Sequence, residues 1–115
     1  MPFNSGDVVL ILFPDSNLRT AKRRPALVVT ADNLNTGLQQ TIVAMITSNL
    51  SRAGHPSRVK ILQSSPDDQA MGLLTDSVIM TDNPATGLHS EIDRAIGHCP
   101  NLAPVQTALR HTFGL

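Results

Sequence analysis

The sequence predicts a mainly β domain: a small, mostly antiparallel barrel closed by one C-terminal helix. Three observations predict it. Five or six segments of strand length, either apolar throughout or alternating, are separated by turn-forming residues. Near the C-terminus Leu102, Val105, Leu109 and Phe113 recur at helical spacing, with Ala108 between them. The 115 residues are close to the commonest domain length and suffice for one core, so residues 1–115 read as a single domain.

Residues 1–6 form a short lead, and Gly6-Asp7 turns into the first strand. Residues 8–13 are an unbroken apolar run, the pattern of a strand covered on both faces. Turn formers (Phe13-Pro14-Asp15-Ser16-Asn17) end it, and residues 14–23, with Leu18 as their one large apolar residue, read as a surface loop. The second strand spans residues 24–31, with Ala26 and Val28 on one face and Leu27 and Val29 on the other. Residues 32–40 form a loop, residues 41–47 a third strand and residues 48–56 another loop. Residues 57–63 alternate, Arg58 and Lys60 pointing away from Val59 and Ile61, which is a half-buried strand with a cationic outer face. A turn at residues 64–69 leads to a fifth strand at residues 76–81. Residues 90–95 read as one helical turn or two, capped by Ser90, and residues 96–99 as a short last strand. Residues 101–113 are the amphipathic helix, capped by Asn101.

Hydrophobic residues make up 41% and charged residues 16%, a globular balance. The single Cys99 allows no internal disulfide, no apolar run approaches a membrane span, and no signal-peptide layout opens the chain. The expectation is a cytoplasmic protein with no membrane partner. Without Trp or Tyr, and with three Phe, stacked aromatic platforms are not the basis of any binding surface. Net charge is zero, but it is unevenly spread. Residues 16–60 carry seven cations (Arg19, Lys22, Arg23, Arg24, Arg52, Arg58, Lys60) against Asp32 alone, whereas residues 61–115 carry two cations and six anions. A basic front half of this kind attracts a polyanion.

The chemistry concentrates in Lys22-Arg23-Arg24-Pro25-Ala26-Leu27-Val28-Val29. Pro25 has a fixed φ and no amide proton, which suits the opening of a strand. The residue before a proline is pushed towards extended geometry, so Arg24 is mounted on a backbone with little freedom. Its planar fork of donors stays charged and matches a phosphate. Composition alone explains the same octet as a solubilising charge cluster beside a buried strand. The histidines (His55, His89, His98, His111) lack ligand spacing with Cys or carboxylates, so no metal site is expected. His98-Cys99 before Pro100 reads as structural. No glycine-rich phosphate loop or GxSxG elbow is present.

An ordered set of segments resembles the MazF/PemK toxin family across almost the whole chain. It comprises Gly6-Asp7-Val8-Val9, Phe13-Pro14, the octet above, Ala44-Met45-Ile46-Thr47-Ser48, Gly72-Leu73, Asp76-Ser77-Val78-Ile79 and Ile92-Asp93-Arg94-Ala95-Ile96-Gly97. The resemblance implies an SH3-like barrel that forms a homodimer and cleaves single-stranded RNA, messenger RNA included, with neither metal nor other cofactor. It further implies a cognate antitoxin whose extended tail occupies the RNA groove. The family's catalytic Arg precedes the Pro of an R-P motif, which here is Arg24. Its catalytic Thr ends a strand in an I-T-S/A motif, which here is Thr47, with Ser48 beside it. Some members also use an Arg and an Asp two apart after the S-V-I motif. Asp82 matches that Asp, while Met80 stands where the Arg would be. The family's R-T-I-D segment reads Ala85-Thr86-Gly87-Leu88 here.

Within that resemblance Arg24 stabilises charge on a phosphate and Thr47 offers a hydroxyl to it, with Ser48 a candidate for the same pocket. Asp82 reads equally as a general base or as a turn former before Asn83-Pro84. Arg19, Lys22, Arg23, Arg58 and Lys60 are the expected RNA-backbone contacts. The alternative is a non-catalytic binding protein on the same barrel, either a silent relative or a gyrase inhibitor like the CcdB toxins. Those act through a C-terminal Trp-Gly-Ile, where this chain has Phe113-Gly114-Leu115. The R-P and I-T-S motifs favour cleavage.

Overall fold

The apolar run of the first segment forms β1 (Asp7–Pro14), and it buries side chains on both faces as its pattern requires. The computed structural model describes residues 3–14, 17–32 and 37–115, except the side chain of Asp67. Met1 and Pro2 of the lead, Asp15 and Ser16 of the first loop and residues 33–36 of the second therefore lie outside the described residues. The chain continues through β2 (Ala21–Val28), β3 (Gln40–Thr47), β4 (Arg58–Ile61), the one-turn helix α1 (Pro66–Gln69), β5 (Ser77–Leu88), β6 (Ile92–His98) and α2 (Ala103–Phe113). The strands form one antiparallel sheet in the order β4-β5-β3-β2-β1-β6.

Strand alternation divides the core in two. On one face Val8, Leu27, Ala44, Ile46, Ile61 and Ile79 meet Val105 of α2, together with Met71 and Cys99. On the other, Val9, Ile11, Ala26, Val28, Val43, Met45 and Ile92 are covered by Phe3, Phe13, Met80 and Ala85. Full burial of each Val, Leu or Ile contributes roughly 1.5–3 kcal/mol, so β1, β2 and β3 are the rigid frame. The expected split of Ala26 and Val28 from Leu27 and Val29 is as observed.

The mainly β fold with one C-terminal helix is as expected, but the barrel is not closed by hydrogen bonds: β4 and β6 are the sheet edges. The reason lies in residues 62–76, which wedge between them. The amides of Leu62 and Gln63 donate to the carboxylates of Asp68 (2.9 Å) and Asp76 (2.8 Å) in place of a strand partner, so β4 stops at Ile61 and not at residue 63. The segment then presses on β6. His98 donates its amide to the Ala70 carbonyl (2.9 Å), and a Cβ at Gly97 would strike the Met71 backbone. Gly72, at φ +73°, sits so close to the Ile96 carbonyl that only glycine fits.

Other boundaries move for local reasons. β2 begins at Ala21, so residues 21–23 are strand and not loop; Phe13 and Pro14 pair with Lys22 and Ala21. It ends at Val28 because the Thr30 side chain takes over: its Oγ1 accepts the Ile42 amide (2.5 Å) and bonds Thr41 Oγ1 (2.9 Å). β5 continues through the expected turn at Asp82-Asn83-Pro84 as far as Leu88. Ala44 pairs with Pro84 and Met45 with Met80, leaving Thr81, Asp82 and Asn83 as an expanded bulge. The helical turn expected at residues 90–95 reduces to a 3-10 turn at His89–Glu91, and β6 starts at Ile92 because β1 supplies its partner. α2 begins at Ala103 with Leu102, and not Asn101, at its N-cap; Asn101 Oδ1 accepts the Ala103 amide (3.1 Å) from one residue further back.

Candidate active site

β2 accompanies β1 over its full length but pairs with β3 only at Ala26, Leu27 and Val28. Continuing that register would set Arg24 across from Thr47. The ladder ends before it reaches them, and a groove of about 1200 Å3 opens between the two strands. Pro25 therefore lies in the middle of β2 and not at its opening, at the residue where pairing to β3 is lost. An edge segment is where a strand tolerates proline.

The groove brings together Lys22, Arg24, Thr47 and Ser48 from the expected site. Arg24 projects from β2 with an exposed side chain. Thr47 is the last residue of β3 and is half-buried. Its Oγ1 accepts the Asn49 amide (3.1 Å), which fixes the oxygen and leaves its own proton to be donated. Met80, standing where some relatives carry arginine, lines the groove as an apolar wall.

The other expected residues lie outside the lining. Arg58 is not part of a solvent-facing cationic stripe with Lys60; its side chain is 15% exposed and tied to Asp82, Nε 2.8 Å from Oδ1 and Nη2 donating to Oδ2 at 3.2 Å. The Nε approach is an ion-pair contact without an aligned hydrogen bond. Asp82 is thus engaged by Arg58 and is not among the lining residues, although its neighbour Asn83 is. Arg23 leans to Asp93 (3.7 Å), Lys60 is exposed on β4, and Arg19 stands on a turn held by the Asn17 side chain.

Sequence reasoning missed three groups of lining residues. Arg94 enters from β6, across Leu10 from Pro25, and pairs with Asp93 (2.7 Å); reading residues 90–95 as helical hid the alternation that would have found it. Asn17 and Thr20 form the rim on one side, and Leu73, Leu74, Thr75 and Ser77 on the other, held there by the Gly72 contact with β6. Asn83 enters from the β5 bulge.

Among the described residues the lining thus contains three cations (Lys22, Arg24, Arg94) and no Asp, Glu or His. Such a groove draws a polyanion in and holds it against hydroxyl and guanidinium donors. Among the described residues no group of three or more His, Cys, Asp or Glu could hold a metal ion. The histidines lie elsewhere: His98 beside Asp7 (3.2 Å), His55 edge-on to His111, His89 edge-on to Phe3. No described helix is long and apolar enough to cross a membrane.

The family model for the PemK-like, MazF-like toxin of type II toxin–antitoxin systems matches residues 4–113. Among solved structures, the chain is similar to Mycobacterium tuberculosis toxin MazF-mt6, with 25% identity over 95% of this chain and 97% of that one and a TM-score of 0.70. It is similar to a MazE–MazF complex from Deinococcus radiodurans (21% identity, 100% and 98% covered, TM-score 0.75). It also resembles an endoribonuclease in complex with its cognate antitoxin from a mycobacterial species (23% identity, 98% and 96% covered, TM-score 0.73). A comparison with curated proteins finds no match.

Proposed function

This chain belongs to the PemK/MazF toxin family, and we propose from that premise that it is the toxin of a toxin–antitoxin pair, cleaving single-stranded RNA through the RNA's own 2′-hydroxyl. The observation that carries the reading is the convergence of Arg24, Thr47, Ser48 and Lys22 in one cationic groove.

RNA brings its own nucleophile. In-line attack forms the bond from O2′ to phosphorus and breaks the bond to O5′; O2′ gives up a proton and O5′ takes one. The products are a 2′,3′-cyclic phosphate and a 5′-hydroxyl, with no water consumed. Arg24 directs its fork at the non-bridging oxygens, where charge builds in the transition state. Thr47, its oxygen already held by the Asn49 amide, donates its proton to the phosphate or the leaving oxygen. Lys22 steers the backbone in. Among the described residues the lining supplies no imidazole or carboxylate, and in this reading the 2′ proton passes to a phosphate oxygen or to solvent.

The same groove, with Leu10, Phe13, Met45 and Leu73 among its walls beside the cations, suits an acidic, amphipathic antitoxin segment. The open edges of β4 and β6 favour a homodimer that covers them. The reading is tested by incubating the purified protein with a mixed RNA pool in EDTA and mapping new ends. New 5′-hydroxyl ends at one recurring short sequence are expected. A folded protein that leaves the pool intact would refute it.

A further inference from the structure

The bulge in β5 is anchored more firmly than a break in a strand needs to be. Thr81 is fully buried, its amide donates to the Ser57 carbonyl (3.1 Å), and its hydroxyl lies 2.6 Å from that carbonyl and 2.7 Å from Thr112 Oγ1 on α2. Asp82 is clamped by Arg58 of β4. Pro84 follows, with its own φ fixed and the residue before it confined to extended geometry. The residue between these restraints is Asn83, exposed and lining the groove. Among the described residues no hydrogen bond engages its carboxamide.

We propose that Asn83 is a specificity-determining residue: its carboxamide reads an unstacked nucleobase flanking the scissile phosphate, and the Arg58–Asp82 ion pair is the device that positions it. The inference rests on the RNA-cleaving reading above. A carboxamide offers a donor and an acceptor side by side, the complement of the Watson–Crick edge that a splayed-out base presents. A single amide on a mobile loop reads little, because ordering it costs rotamer and backbone entropy. Here the bulge has met the backbone part of that cost in the folded protein. The ion pair therefore acts through Asn83 and not on the RNA, which accounts for two charged groups at the groove's margin that face each other.

The test sequences the new ends made from a random RNA pool by wild-type protein and by Asn83→Ala, Asn83→Asp, Asp82→Asn, Arg58→Gln and Arg58→Lys, each checked for folding by circular dichroism. Wild type should prefer one base at one position beside the cut. Asn83→Ala should flatten that position by about 10-fold while the others persist. Asn83→Asp leaves only acceptors, so the preference should move towards guanine, whose N1–H and N2–H are adjacent donors. Asp82→Asn and Arg58→Gln should flatten the same position, and Arg58→Lys should restore it in part. The proposal is overturned if wild type cleaves and Asn83→Ala shows the same profile, or if Asn83→Ala loses cleavage at every sequence alike. Flattening by Asp82→Asn at positions other than the one read by Asn83 would overturn the positioning role. A wild-type protein that cleaves nothing sinks the parent reading instead.

Discussion

Replacing Arg24 with lysine isolates the geometry of one side chain from its charge. Arg24 is exposed on β2 and its neighbour in the ladder is Ile11, so the change leaves the buried core untouched. Lysine keeps the cation in the groove but offers a point charge where the guanidinium offers two parallel donors. One charge-assisted hydrogen bond to the phosphate is lost, worth roughly 1.5–3 kcal/mol. If that bond forms fully only as charge builds on phosphorus, the loss appears in kcat as about a 10- to 150-fold fall. Arg24→Ala should lose more. The assay is the initial rate on a short RNA carrying one site, read beside thermal melts of each variant. The reasoning is refuted if Arg24→Ala melts with wild type and cuts at the wild-type rate, or if Arg24→Lys is as active as wild type.

Four other outcomes follow from the same structure. Thr47→Val keeps the strand and removes the donated proton; it should lower the rate less than Arg24→Ala does, in the same assay. With Lys22, Arg24 and Arg94 meeting phosphates, log affinity should fall with log salt at a slope near −2, about −0.7 for each contact, and Arg94→Ala should flatten it by one contact. Gly72→Ala meets both a left-handed backbone, about 1–2 kcal/mol for an L-residue, and the Ile96 carbonyl, so it should lower the urea midpoint and shift the Leu73–Thr75 rim enough to slow cleavage. Burial raises the Cys99 thiol above its ordinary value, with a backbone bond to Asn101 opposing and Asp68 adding. The folded protein then holds a proton that the unfolded chain releases, so stability should fall as pH rises through the ordinary thiol range, and Cys99→Ala should remove that slope.

The rigid frame was legible because its signals are local. The apolar run at residues 8–13 reads as a strand covered on both faces, residues 41–47 as a strand, and the helical spacing of Leu102, Val105 and Leu109 as the terminal helix, and each forms as read. The R-P and I-T-S motifs named Arg24 and Thr47, which the groove brings together. What was hidden depends on partners distant in sequence. Charged residues 21–23 read as loop until Phe13 and Pro14 are known to pair with them. Asp82 and Arg58, 24 residues apart, carry no local sign that they pair with each other. Arg94 was concealed by a segment whose strand character comes only from its pairing with β1. The wedge that keeps the barrel open rests on Gly72 and Gly97, whose need for closeness no local pattern records.

The central claim is that the RNA's own 2′-hydroxyl is the nucleophile in the groove of Arg24 and Thr47. The most direct measurement compares two RNAs identical but for one deoxynucleotide placed 5′ to the scissile phosphate, incubated with the protein in EDTA. The account predicts that the all-ribose strand is cut to a 2′,3′-cyclic phosphate and a 5′-hydroxyl, while the deoxy strand binds with similar affinity and stays whole at that site. Normal cutting of the deoxy strand at that phosphate would contradict it.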